Sequence, residues 1–251
     1  MTAVRHTPPG GLDWSKHALF LDFDGTLAPL ADHPGDVRLP ARIVPVLHAA
    51  LAATGGAVAV LSGRALADLD PHLPPRITVR AGSHGAEMTG IDGIDTQPGD
   101  LSGPAKPLAA LAAAHDLLIE AKPGAVALHY RSRPDLGPLV RRTVDEAVIP
   151  GLRALHGNMV SEIARADIDK GTPLAALMAR PPFAGRVPVM IGDDVTDEDG
   201  FRRAQAMGGA GLHIGAGPTV ALWRLPTIDA AHDWLARTLT GTPARTEGAA
   251  P

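Results

Sequence analysis

Short apolar runs that end in small or acidic residues, separated by helix-like segments, constrain this chain more than any other feature. HALFLDF (17–23) precedes a predicted helix over 40–53, GAVAVLSGR (56–64) is a strand leading into a short helix from Arg64, and RITVRAGSHG (76–85) is a third strand. After Lys170 the rhythm resumes with a helix at 171–180, a strand RVPVMIGDD (186–194), a helix at 196–207 and a last strand GGAGLHIG (208–215). Strands this apolar, traded one for one with helices, predict an α/β fold: a parallel sheet covered on both faces.

The middle of the chain breaks the rhythm. SGPAKPLAALAAAH (102–115) reads as a helix, LLIEAKPGAVALHYR (117–131) as a hairpin turned at Pro123-Gly124, and LGPLVRRTVDEAV (136–148) as another helix. LRALHGNMVSEIA (152–164) holds one or two further strands. This predicts a small α+β unit inserted into the parallel-sheet domain, placed to cap the sheet edge. The expected boundaries are a core of residues 15–102 and 164–240, a cap of 103–163, and loose tails at 1–14 and 241–251.

Composition removes several function classes. A formal charge of −4 with no basic block argues against general nucleic-acid binding. With no cysteine, neither a disulfide framework nor a thiolate metal site can form. The N-terminal MTAVRHTPPGGLDW lacks the apolar core of a secretory leader. No apolar segment approaches the roughly 20 residues that span a bilayer. The expectation is a cytoplasmic protein without a membrane partner.

Three predicted strands end in residues that carry chemistry: Asp22 and Asp24 after the first, Ser62 after the second, Asp193 and Asp194 after the 186–194 strand. In an open parallel sheet ligands bind at the carboxyl ends of the strands, so these residues should converge in one crevice. Clustered carboxylates without cysteine or paired histidines suit a hard, oxygen-loving cation, most simply Mg²⁺. Ser62, Gly63 and Arg64 at a helix start offer a hydroxyl and N–H groups to a phosphate, and Lys170 adds an ammonium. A carboxylate can itself be the nucleophile, through an aspartyl-phosphate. On that reading Asp22 attacks phosphorus, while Asp24 protonates the leaving oxygen and then activates water. A lone aspartate at a strand end is more often a turn or helix cap. Asp197, Glu198 and Asp199 sit in a helix's first turn, where acids suit the dipole in any case.

The motifs DFDGT (22–26), SGR (62–64), KG (170–171) and GDDVTDED (192–199) resemble, in order, those of the haloacid dehalogenase superfamily of phosphatases. DFDGTLAPL, GSHGAE (82–87), ALHYR (127–131) and GDDVTDEDGF (192–201) further resemble the trehalose-6-phosphate phosphatase family, over about residues 15–237. The resemblance implies a Rossmann-like core with an inserted cap, and Mg²⁺-dependent hydrolysis of trehalose 6-phosphate in trehalose biosynthesis. It implies Asp22 as nucleophile, Asp24 as acid/base, and phosphate contacts from Ser62 and Lys170, with Gly63 and Arg64 beside them. It also implies a metal held by Asp22, the Asp24 carbonyl and Asp193, with Asp194 and Asp197 in or near the second layer. By position in the family pattern, Glu120, Lys122 and Glu162 hold sugar hydroxyls, with His129, Arg131 and Asn158 as further candidates and His84 near the cleft. One departure is EIARAD (162–167), where the family usually has a basic residue and then proline after the cap's Glu-Ile. A functional link to a trehalose-phosphate synthase goes with this resemblance.

Competing readings are a capped phosphatase of another sugar phosphate (sucrose or mannosylglycerate phosphate) and a sugar-phosphate sensor without turnover. A receiver-type signalling module shares the acid pair and lysine but is about half this length and has no inserted cap. A lectin has little support, because only 3% of residues are aromatic.

Overall fold

The computed structural model describes residues 7–31, 34–91 and 100–240. The remaining parts of the expected tails, 1–6 and 241–251, lie outside them.

The first half of the core runs β1 (His17–Leu21), α1 (Ile43–Ala53), β2 (Val58–Leu61), α2 (Leu66–Leu69), β3 (Arg80–Gly82) and β4 (Glu87–Thr89). The insertion follows as α3 (Ser102–His115), β5 (Leu118–Lys122), β6 (Ala125–His129), α4 (Gly137–Glu146), β7 (Leu152–Gly157) and β8 (Val160–Arg165). The chain then returns as α5 (Gly171–Met178), β9 (Val187–Gly192), α6 (Asp197–Ala206), β10 (Ala210–Ile214), β11 (Trp223–Leu225) and α7 (Ile228–Thr240).

The core sheet has the order β11-β10-β9-β1-β2-β3-β4, parallel throughout except for the edge strand β4. Alternation along the strands divides its side chains between two faces. Leu19 and Leu21 of β1 join Val58, Val60, Val189 and Ile191 against Ile43 and Leu47 of α1 and Trp234 and Leu235 of α7. Ala18 and Phe20 face the other way, with Met190, against Leu174 and Leu177 of α5 and Phe201 of α6. Each fully buried leucine or phenylalanine here contributes roughly 1.5–3 kcal/mol relative to exposure.

The parallel α/β expectation holds, with local differences. The third predicted strand stops at Gly82, because Ser83 and His84 take positive φ and turn the chain back into β4. The helix expected from Arg64 begins only at Leu66 and lasts one turn. The end of the N-terminal segment is not loose: Trp14 is buried, its ring 6.1 Å from that of Trp234. Burying a large aromatic surface anchors that stretch.

The inserted residues form an antiparallel sheet of order β5-β6-β8-β7. Val126, Leu128 and Ile163 pack one face against Leu108 and Ala112 of α3 and Val140 and Val144 of α4. Register aligns the opposite face in rows: Glu120–Ala127–Glu162–Leu155 across all four strands, and Lys122–Ala125–Ala164–Arg153 beside it. That face looks toward the core.

Candidate active site

β1 lies between β2 on one side and β9 on the other, so successive connections leave it in opposite directions. This is the switch point at which an open α/β sheet forms a crevice. Leu21 is in register with Val60 and with Ile191, so Asp22, Ser62 and Asp193 emerge together at the carboxyl ends of three adjacent strands. Gly25, at φ +79°, lets the chain turn directly after the acids. A β-carbon at Gly25 would run into the Asp193 carboxylate, so only glycine allows that approach.

A cleft of about 920 Å³ opens here, floored by Asp22, Asp24, Gly63, Arg64, His84, Lys170, Asp193 and Asp194. Its roof is the cap face: Glu120, Lys122, His129, Arg131, Asn158 and Glu162. Every candidate residue therefore lines one cleft except Ser62 and Asp197, which lie beneath its wall, 1% and 0% exposed.

At the floor, Lys170 at the start of α5 donates to Asp22 Oδ1 and to Asp197 Oδ1, each at 2.6 Å. Asp197 Oδ2 accepts the backbone N–H groups of Asp193 and Asp194 at 2.9 and 3.0 Å and so shapes the loop after β9. Carboxylate oxygens of Asp22, Asp193 and Asp197 all lie within 4.8 Å of one another. Three carboxylates around one ammonium leave an excess of negative charge. Burial, together with Asp197 and Asp193, pushes the Asp22 carboxyl well above the usual range in spite of Lys170. Burial and repulsion from Asp197 and Asp194 push Asp193 up to about 7. Burial disfavours the Lys170 charge, but Asp197 and Asp22 outweigh it and raise the ammonium's pKa. A hard divalent cation fits this all-oxygen set, since it would relieve the same excess. Asp194 stands outside the cluster, with Oδ1 taking the Val195 N–H at 2.7 Å.

Asp24 is held differently. Arg64 grips its two oxygens from Nε and Nη2 at 2.6 and 2.8 Å and reaches Asp68 from Nη1 at 2.6 Å. The Arg64 guanidinium also lies over the Phe23 ring, 5.6 Å from its centre. The N–H donors expected from the 62–64 turn are reduced, because the Arg64 N–H is bonded to Ser62 Oγ at 3.1 Å. That bond uses a lone pair of the hydroxyl and leaves its proton to donate.

In the roof, Glu162 is the most strongly held group. Its Oε1 lies 2.7 Å from His84 Nε2 and its Oε2 2.9 Å from Lys122 Nζ. Lys122 also donates to the Gly63 carbonyl at 3.1 Å. Burial pushes the Glu162 carboxyl up, but Lys122 and His84 outweigh it and hold it well below the usual carboxylate range. Glu120 accepts a hydrogen bond from His129 Nε2 at 2.9 Å, and that bond keeps its carboxyl low against burial. Through the departure at EIARAD the backbone stays regular, since β8 runs unbroken to Arg165 and Glu162 lines the cleft. Arg131 and Asn158 are exposed at the rim.

Sequence reasoning missed Asp68, although its i+4 spacing from Arg64 is a visible signal. It also missed Arg153, which ties the cap to the core through Asp199 Oδ2 and the Ile168 carbonyl, both at 3.0 Å. Leu30 and Leu118, exposed apolar residues on the core and cap sides of the cleft, carry no sequence signal that marks them.

Comparison with known proteins places the whole of this fold in one family. The family model described as trehalose-phosphatase matches residues 20–218. The trehalose-6-phosphate phosphatase of Escherichia coli is 38% identical over 232 residues, covering 88% of this chain and 86% of that protein. A probable trehalose-phosphate phosphatase of Sinorhizobium fredii is 38% identical over 229 residues, covering 87% and 86%. Among solved structures, the C-terminal domain of the C. albicans trehalose-6-phosphate phosphatase superposes with a TM-score of 0.79 at 21% identity, covering 90% of this chain and 92% of that one. A haloacid dehalogenase subclass IIB sugar phosphatase shares the fold at a TM-score of 0.64 and 16% identity, covering 90% and 99%. The chain belongs to the trehalose-phosphatase family, built on the haloacid dehalogenase fold.

Proposed function

We propose that this protein hydrolyses trehalose 6-phosphate to trehalose and phosphate, with residues 103–163 acting as the sugar-binding cap over a 15–102 and 164–240 core. The observation that carries the reading is the placement of Asp22, at the end of the central strand and against Lys170, in one cleft with the charged cap residues Glu120, Lys122 and Glu162. A nucleophile at the floor and hydrogen-bonding side chains in the roof are the two halves that a sugar phosphate requires.

The Asp22 carboxylate attacks phosphorus and the bond from phosphorus to the sugar oxygen breaks, leaving the phosphoryl group on Asp22. The departing oxygen takes its proton from Asp24. Asp24 then accepts a proton from water, whose oxygen attacks phosphorus, so that phosphate leaves and the Asp22 carboxylate is restored. Since Arg64 grips Asp24, entry of the sugar must loosen that pair before Asp24 can reach the leaving oxygen. Lys170 and the Ser62 hydroxyl offset charge on the phosphoryl oxygens. Asp22, Asp193 and the Asp24 carbonyl would hold Mg²⁺, which supplies charge neutralisation to the phosphoryl group. Glu120, Lys122 and Glu162 bind sugar hydroxyls, with His129 and the rim residues Arg131 and Asn158 around them.

The reading includes a functional link to a trehalose-phosphate synthase, which would supply the substrate by joining a sugar to a sugar phosphate, and a cytoplasmic location. Among the described residues no helix is long and apolar enough to cross a membrane. The test is phosphate release from trehalose, sucrose, glucose and mannosylglycerate phosphates, with and without Mg²⁺ and with Asp22→Asn as control. Metal-dependent turnover of trehalose 6-phosphate, lost in the variant, is expected. Turnover of another member instead would overturn the substrate.

A further inference from the structure

His84 occupies a position that the hydrolytic chemistry does not use. It is buried, and it and Ser83 both hold positive φ, +59° and +50°. Two consecutive left-handed non-glycine residues cost roughly 1–2 kcal/mol each, so the surroundings must impose them. They do so from the loop after β2: the Ser83 N–H donates to the Arg64 carbonyl at 2.7 Å and the His84 N–H to the Ser62 carbonyl at 2.9 Å. Ser83 Oγ is in turn fixed to Glu87 Oε1 at 2.8 Å.

The imidazole so presented lies against Gly63, where an added β-carbon would stand 2.7 Å from Cε1. Its Nδ1 is buried with no partner among the described residues, so its polar contact is the one from Nε2 to Glu162 of the cap. Strain in the core is thus maintained to aim one nitrogen at one cap carboxylate. The same carboxylate orients Lys122, which reaches back to Gly63. At the other edge of the same sheet face, Arg153 of β7 is tied to Asp199 and the Ile168 carbonyl.

We propose that His84 is a positioning residue that latches the cap shut: it holds Glu162, and through it Lys122, in the arrangement that receives the sugar. The role in sugar recognition rests on the reading of the cleft given above; the latch itself does not. Glu162 retains lone pairs for sugar hydroxyls while His84 and Lys122 hold it. A group so preorganised favours binding and closure more than the chemical step.

A double-mutant cycle on the full chain tests this, using His84→Asn, Glu162→Gln and the pair. Asparagine tolerates positive φ, so His84→Asn keeps the loop but is too short to reach Glu162. Small-angle scattering of the substrate-free protein should give a larger radius of gyration for each single variant and no further increase for the pair. With trehalose 6-phosphate, His84→Asn should raise KM by roughly tenfold or more with a much smaller change in kcat. The pair should be no worse than Glu162→Gln, and His84→Gln, which can still donate to Glu162, should recover much of the loss. Multiplicative effects of the two substitutions, or wild-type scattering and KM in His84→Asn, would overturn the latch. Coupled scattering in a protein that does not turn over trehalose 6-phosphate would retain the latch and sink the substrate.

Discussion

The Lys170 ammonium stands 2.6 Å from Asp22 Oδ1 inside a buried cluster that holds two further carboxylates, Asp193 and Asp197. On the proposed mechanism this one relationship makes Asp22 both a nucleophile and a source of instability. Lys170 offsets part of the desolvation cost, while the surplus negative charge stays in place for a cation to neutralise.

Removing the proposed nucleophile should separate activity from stability. Asp22→Asn is expected to lower turnover by at least about 10³-fold, since a residue that forms the covalent intermediate has no substitute. It also removes one repelling charge while Lys170 keeps Asp197, so the metal-free variant should be more stable by on the order of 1 kcal/mol. Phosphate release and thermal melting measured side by side check both halves.

Removing the cation should do the opposite. Lys170→Met leaves Asp22 and Asp197 buried without their partner, and breaking such a pair costs about 3–5 kcal/mol. A urea midpoint close to wild type would contradict this.

Metal stabilisation should depend on pH with a definite sign. Asp193 is pushed from 3.8 up to about 7 in the folded chain, so between those values the metal-free native state binds more protons than the unfolded one. Stability from this group is therefore present at low pH and lost as pH rises through 7, whereas a cation competes with the proton and gains as pH rises. Mg²⁺ should raise the melting temperature more at pH 7.5 than at pH 5.5, and Asp193→Asn should flatten that difference. Equal shifts at both pH values would count against the site.

Glu162 carries the opposite linkage. Its carboxyl is held well below the ordinary 4.5, so its stabilisation is fully present above that value and is lost as acid takes pH down through the depressed one. The gap in urea midpoint between wild type and Glu162→Gln should shrink as pH falls below about 4.5. A gap that widened on acidification would reverse the assignment.

Arg64 offers a geometric test. Its two-pronged grip on Asp24 needs a planar fork that lysine lacks, so Arg64→Lys is not conservative here. We expect roughly a tenfold or greater loss in kcat with a fold intact by circular dichroism.

The core was legible because its signals are local. Apolar strands that end at Asp22, Ser62 and Gly192-Asp193 carry their own periodicity and punctuation, and strand-end convergence follows from parallel topology alone. The edge strands β4 and β11 were not read from the chain, because each is three residues long and owes its pairing to a neighbour rather than to its own pattern. The one-turn α2 and the bonded Arg64 N–H likewise reflect local crowding around Ser62 that spacing does not encode.

By itself, then, the amino-acid sequence determined the α/β class, the inserted cap and the set of acids, serine and lysine gathered at the strand ends. Tertiary structure alone decided which groups pair. Asp24 with Arg64, Asp197 with Lys170, and Glu162 with His84 join residues 40, 27 and 78 positions apart. The reason is physical: a buried charge takes its character from whatever lies within hydrogen-bond reach, and that neighbourhood exists only once the sheet and the cap have closed on one another.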